Sequence, residues 1–329
     1  MEDFTAAKKT FSRLGFALVA ILLSSFVAQN LMVLVPVLIW GADNWFITSS
    51  TGMWISTFAP IYLVAMPVGL LILKKIPVAA PEAKQMRFGG FLRLLPMAFF
   101  MMYAGNLVGN YLATTLSGGN ASNALMGYAL DNNPLKILVM VILAPLLEEF
   151  IFRKKLIDCT RQYGEKTAVM LSAVTFALFH TNLYQFFYAF ALGWLFAYVY
   201  VRTGYLRYPV ILHGIINFMG SVLAPALLNA LDLEALSSLD PNAAPEAVAQ
   251  QLAPMIPGLI AYVLYAGFLF FMSIMGLIMV LKRYKKWQWK EAEAQLPKER
   301  AAKVAYGNPG MILFIVLSLG MTVLTLLMV

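Results

Sequence analysis

Two adjacent carboxylates, two histidines and an asparagine are the residues of this chain that could do chemistry inside an apolar sequence. Glu148 and Glu149 are the only two of the 16 acidic residues that lie within an apolar run, in the segment from Ala144 to Arg153. The 2 histidines, His180 and His213, lie in apolar runs as well. An ionisable side chain in a bilayer costs at least ~2.5 kcal/mol and usually marks a functional site. A carboxylate in a low-dielectric chamber has raised basicity and can take a proton from water. Imidazole and amide groups can donate to an oxyanion as it forms. Such groups could serve water activation or a proton relay. No Gly-x-Ser-x-Gly element occurs, and the single cysteine, Cys159, has no histidine beside it. A covalent nucleophile is therefore not indicated.

Spacing sorts these groups. Glu149 and Arg153 are four residues apart, so they share a helix face and can pair. Glu148 points about 100° away and lacks that partner. His213 and Asn217 share a face, as do Phe176 and His180. Pro145 cannot donate a backbone N–H, so the Val141 carbonyl is expected to lose its partner and a kink to form before the acid pair. Each feature has a plainer explanation. The Glu149–Arg153 pair could be structural, a lone histidine could pack, and Asn217 could join helices. As a set, Glu148, His180, His213 and Asn217 are too costly in lipid to be accidental. Buried Glu and His also serve proton relays, so a proton-coupled transporter is one alternative. Against it, the sequence has no inverted repeat. A non-catalytic membrane partner or immunity protein is another.

The elements that must hold these residues are membrane helices. Hydrophobic residues make up 61% of the 329 and charged residues only 12%, about half the share of a soluble domain. That excludes a soluble enzyme, a disordered chain and a secreted disulfide scaffold. Apolar runs lie at 14–40, 51–73, 91–116, 135–157, 167–183, 185–201, 205–230, 256–281 and 311–329. The first is too long for a signal-peptide core, no A-x-A-like site follows it, and it reads as a retained span. The expected fold is an all-α polytopic membrane protein of about nine transmembrane helices, with eight possible. The fifth run is short enough to end below the outer surface. Of the 24 Lys and Arg, all but Lys136 fall on alternate loops, which puts the N-terminus in the cytoplasm and the C-terminus outside. The net charge of +8 is thus a loop signal, and no nucleic-acid partner is expected. The segment 231–257, with Asp232, Glu234, Asp240 and Glu246, reads as an acidic outer loop. The segment 282–305 reads as a solvated cytoplasmic connector.

Three segments resemble the CPBP family of intramembrane proteases, which includes the type II CAAX prenyl endopeptidases and the bacterial Abi proteins. The family pattern is E-E-x-x-x-R, F-x-x-x-H and H-x-x-x-N on successive membrane helices. Here it reads Glu148-Glu149-x-x-x-Arg153, Phe176-x-x-x-His180 and His213-x-x-x-Asn217, with Pro145 also in place. Three motifs in order are more specific than any one of them. The resemblance covers about 135–225, as a catalytic core between N-terminal spans (1–134) and a C-terminal part (226–329) with the acidic outer loop and two spans. It implies an endopeptidase acting on a membrane-associated protein or peptide in the lipid bilayer, in the bacterial cytoplasmic membrane. Glu148 would activate water with help from His180. His213 and Asn217 would stabilise the oxyanion, and Glu149 and Arg153 would support them. Phe179 is larger than expected at its position and would narrow access to His180. The resemblance favours a mechanism without a cofactor. By ligand type alone, Glu148, His180 and His213 could instead hold zinc with an open position.

Overall fold

The computed structural model describes residues 2–121, 123–231, 238 and 244–327. No strand occurs among them. The main helices are α1 (Glu2–Trp40), α2 (Ser50–Leu73), α3 (Phe88–Leu116), α4 (135–163), α5 (Glu165–Phe179), α6 (Leu183–Thr203), α7 (Arg207–Asn229), α8 (Glu246–Arg283), α9 (Lys298–Tyr306) and α10 (Pro309–Leu327). The expected acidic loop falls largely at 232–237 and 239–243, outside the described residues.

Seven of these helices are long and apolar enough to cross a membrane: α1, α2, α3, α6, α7, α8 and α10. Their outer faces carry side chains such as Leu38, Leu63, Leu107 and Phe270, each about three-quarters exposed, as lipid-facing residues should be. The other two expected spans miss the criterion for physical reasons. Helix α4 is interrupted by Lys136, Glu148, Glu149, Arg153, Lys154 and Lys155, so its own chemistry dilutes its hydropathy. Helix α5 has 15 residues, ~22 Å at 1.5 Å each, against a hydrocarbon core of ~30 Å. The turn after it nonetheless reaches the loop that follows α3. Asn182 Nδ2 donates to Asn123 at 3.2 Å, and the Tyr184 hydroxyl donates to the Ala121 carbonyl at 2.6 Å.

Proline shapes the backbone around the acid pair. Three π-helical segments, Pro60–Ala65, Ile137–Leu143 and Met219–Leu223, each end two residues before a proline: Pro67, Pro145 and Pro225. The ring would clash with the carbonyl four residues back, and widening the turn relieves that crowding. The expected orphan carbonyl therefore shifts by one residue. In the widened register the Ala144 N–H reaches Val139, so the missing N–H of Pro145 falls opposite Met140 rather than Val141.

Close helix approach supplies the rest. A Cβ on Gly105 would lie 2.4 Å from Tyr188 Cα, and one on Gly109 would lie 2.7 Å from the Tyr184 carbonyl. This small-xxx-small face lets α3 press directly on α6. At the end away from the Lys/Arg-rich loops, Asp131 accepts from the Ser50 hydroxyl and from Trp54 Nε1 (2.6 Å). These bonds, led by Ser50, hold its carboxyl below the ordinary carboxylate range and tie α2 to the entry of α4.

On the Lys/Arg-rich side the chain is more packed than expected. Helix α1 starts well before its apolar run, burying Ala7 and Phe11, and Thr10 hydrogen-bonds Tyr163 at 3.2 Å. The 282–305 connector is not simply solvated. Ala294 and Leu296 donate backbone N–H groups to Gln162 and Tyr163, Lys290 N–H donates to Glu165 at 2.7 Å, and Leu296 is buried.

The alternating loop charge makes a testable expectation for orientation. In a Cys159→Ser background, Trp45→Cys should label from outside intact cells and Lys298→Cys only after permeabilisation. Labelling of both from one side would contradict the inward N-terminus.

Candidate active site

Helices α4, α5 and α7 bring the motif residues together, and α6 backs them. Glu149 and Arg153 are both fully buried, with Arg153 Nε 2.8 Å and Nη2 3.1 Å from the carboxylate oxygens. Arg153 also donates to Ser172 Oγ at 3.2 Å, and its guanidinium lies 4.3 Å from the centre of the Phe176 ring. Ser172 in turn donates to the Phe152 carbonyl at 2.6 Å. A buried cation is thus neutralised, hydrogen-bonded and covered by an aromatic face.

His213 connects the two acids. Its Nδ1 lies 3.0 Å from Glu149 Oε1, and its Nε2 lies 4.0 Å from Glu148 Oε2. A carboxylate bonded to one ring nitrogen fixes the orientation of the imidazole and frees the other nitrogen for chemistry. Phe196 of α6 stacks on the ring at 5.6 Å and Phe176 meets it edge-on at 6.0 Å, so rotation is blocked on two sides.

The two glutamates are separated by access. Glu149 is sealed, whereas the Glu148 side chain keeps 19% exposure. Only Glu148 can meet water.

His180 caps the end of α5. Its Nδ1 lies 2.8 Å from the Phe176 carbonyl. A carbonyl only accepts, so Nδ1 carries the proton and Nε2 presents a lone pair. Thr181 follows at φ 46, a left-handed conformation that a β-branched residue seldom takes. Such local strain is typical of functional turns. Phe179 turns its ring to Phe152 at 5.2 Å, while the ring against His180 is Phe176 at 4.8 Å.

Asn217 lies one turn beyond His213 on α7. Its Nδ2 donates to the Met140 carbonyl at 2.8 Å, the group that Pro145 leaves without a partner. Gly214 permits this approach, since a Cβ there would lie 3.1 Å from the Val141 carbonyl oxygen. One N–H of the amide is thus committed to holding α4 against α7, and the other remains for a ligand.

Two tyrosines outside the motifs lie within electrostatic range of Glu148. Tyr62, on the π-helical turn of α2, and Tyr188, on α6, both feel the charge of Glu148. Tyr188 also bonds Gln185. Among 15 tyrosines in a membrane chain, nothing local to their sequence separates these two from interfacial anchors.

As a metal site the set fits poorly. No group of three or more His, Cys, Asp or Glu side chains converges suitably among the described residues. Glu149 is taken by Arg153 and His213.

Comparison with known proteins gives two matches. Residues 131–219 match the family model described as "Type II CAAX prenyl endopeptidase Rce1-like". The matched stretch begins at the Asp131 clamp and ends just past Asn217, so it contains every residue of the site except Tyr62. A relative from Bacillus subtilis (strain 168), named "Putative membrane peptidase YdiL", is 28% identical over 164 residues. That match covers 47% of this chain and 66% of the relative, so the chain spans just under two thirds of its length. No solved structure matches the chain. The motif resemblance to the CPBP family is thus joined by a family match over residues 131–219, and both matches support a protease of the membrane.

Proposed function

We propose that this protein is an intramembrane endopeptidase that hydrolyses a peptide bond of a membrane-associated protein or peptide, using water activated by Glu148. The observation that carries the reading is the division of labour between adjacent acids. Glu149 is spent on Arg153 and His213, while Glu148 is left partly open, 4.0 Å from His213 Nε2.

In this mechanism a water lies between Glu148 and the lone pair of His180 Nε2. Glu148 takes one proton as the water oxygen attacks the carbonyl carbon. The tetrahedral oxyanion is met by the Nε2–H of His213, a role that requires the imidazolium form with its Nδ1–H on Glu149, and by the second N–H of Asn217. Collapse breaks the C–N bond, and Glu148 returns its proton to the leaving amine. The peptide loses one bond and gains one water. The bacterial cytoplasmic membrane is the expected location, given the Bacillus relative.

No metal takes part in this scheme, in keeping with the ligand geometry. Turnover should therefore survive exhaustive chelation, and elemental analysis of the purified protein should find no stoichiometric zinc. A stoichiometric zinc whose removal abolishes turnover, and whose return restores it, would overturn the metal-free assignment.

Asn217→Ala has two expected effects. Loss of an oxyanion donor should lower turnover roughly 10²–10³-fold, with substrate binding less affected. The unpaired Met140 carbonyl should also cost about 1–3 kcal/mol of stability, visible as a lower melting temperature in detergent. Unchanged turnover would remove Asn217 from the oxyanion site.

A further inference from the structure

Away from the acid pair, residues at the ends of α6 and α8 and just beyond line a partly open pocket of about 350 Å³ on the Lys/Arg-rich face. Its lining is Tyr198, Lys282, Arg283, Lys286 and Trp287. Three of the five lining residues are cations. Among the described residues none of the three is paired with a carboxylate. The nearby acids are engaged elsewhere, Glu165 with Arg161 and Arg202, and Glu82 with Lys290.

The walls are ordered by aromatic packing. Trp287 meets Tyr198 at 4.4 Å and Trp194 at 4.6 Å, both edge-on. Trp289 closes on Tyr198 at 5.4 Å. The Tyr198 hydroxyl accepts from the Gln288 N–H at 3.4 Å, which leaves its own O–H to donate. A pocket with three cations, a phenol donor and a tryptophan wall at the mouth of two membrane helices matches one ligand chemistry. That chemistry is a phosphate oxyanion joined to an apolar body at headgroup depth.

We propose that this cavity binds the phosphate group of an anionic glycerophospholipid and so ties the ends of α6 and α8 together. Topogenic loop charge alone would scatter cations over the face. Here three of them line one aromatic-walled pocket.

The test uses the full chain in nanodiscs of phosphatidylglycerol and phosphatidylcholine in equal parts, with retained lipid counted by native mass spectrometry. The expected result is one phosphatidylglycerol kept in preference to phosphatidylcholine. Lys282→Gln/Arg283→Gln/Lys286→Gln should weaken that retention roughly 100-fold, at about a factor of five per cation. Tyr198→Phe keeps every charge and the fold, and should weaken it roughly ten-fold. Lys74→Gln/Lys75→Gln/Lys84→Gln removes equal charge from exposed positions on the same face and should change nothing. Titration of inorganic phosphate into the delipidated protein separates the sources. Heat that the triple variant loses means free phosphate also enters, and no heat means the site needs the lipid. Equal retention by wild type and the triple variant, or equal loss in the Lys74/Lys75/Lys84 control, would overturn the proposal.

Discussion

Arg153→Ala should leave little folded protein in the membrane. The substitution strands the Glu149 carboxylate, which is fully buried and loses both contacts, at 2.8 and 3.1 Å. It also empties the space below the Phe176 ring and unpairs Ser172. Breaking a buried pair by removing one partner costs ~3–5 kcal/mol. That is a large share of a typical total stability of about 5–15 kcal/mol. The measurement is membrane abundance together with thermal unfolding in detergent. The surviving fraction should also turn over slowly, because Glu149 positions His213. Normal abundance with full turnover would show that the pair supports neither fold nor site.

Glu148→Gln should behave in the opposite way. The side chain is partly exposed, and His213 Nε2 lies 4.0 Å from its carboxylate, beyond hydrogen-bond reach, so the isosteric amide should fold and accumulate normally. What it loses is the ability to take a proton. General-base catalysis contributes about 10²–10⁴-fold, and turnover should fall by that factor or more. The contrast is the informative part. On this account one glutamate of an adjacent pair should be needed for stability and the other for chemistry, because a helix points neighbours ~100° apart. Full turnover by a well-folded Glu148→Gln protein would remove it as the base.

The contrast between the two acids was visible in the sequence, since only Glu149 has a basic residue four positions on. The shared face of His213 and Asn217 was visible for the same reason. What the sequence did not reveal depends on three-dimensional register. Pro145 announces a missing N–H, but only the π-helical widening of Ile137–Leu143 moves the orphan carbonyl to Met140, where Asn217 can reach it. Tyr62 and Tyr188 reach Glu148 by helix packing, and the close approach of α3 to α6 at Gly105 and Gly109 helps set the second of them. Spans were legible where hydropathy was undiluted. They were least legible in α4, where the charges that obscure the span include those of the proposed site. The connector after α8 looked solvated because it is charged, yet its backbone N–H groups are tied to the turn between α4 and α5.

The most direct test of the account compares the membrane proteomes of cells carrying the wild-type protein and cells carrying Glu148→Gln, at matched abundance. The account predicts at least one membrane-associated protein or peptide that is cut at a defined bond only with the wild type and accumulates uncut with Glu148→Gln. Identical cleavage patterns in the two membranes, with both proteins folded, would contradict it.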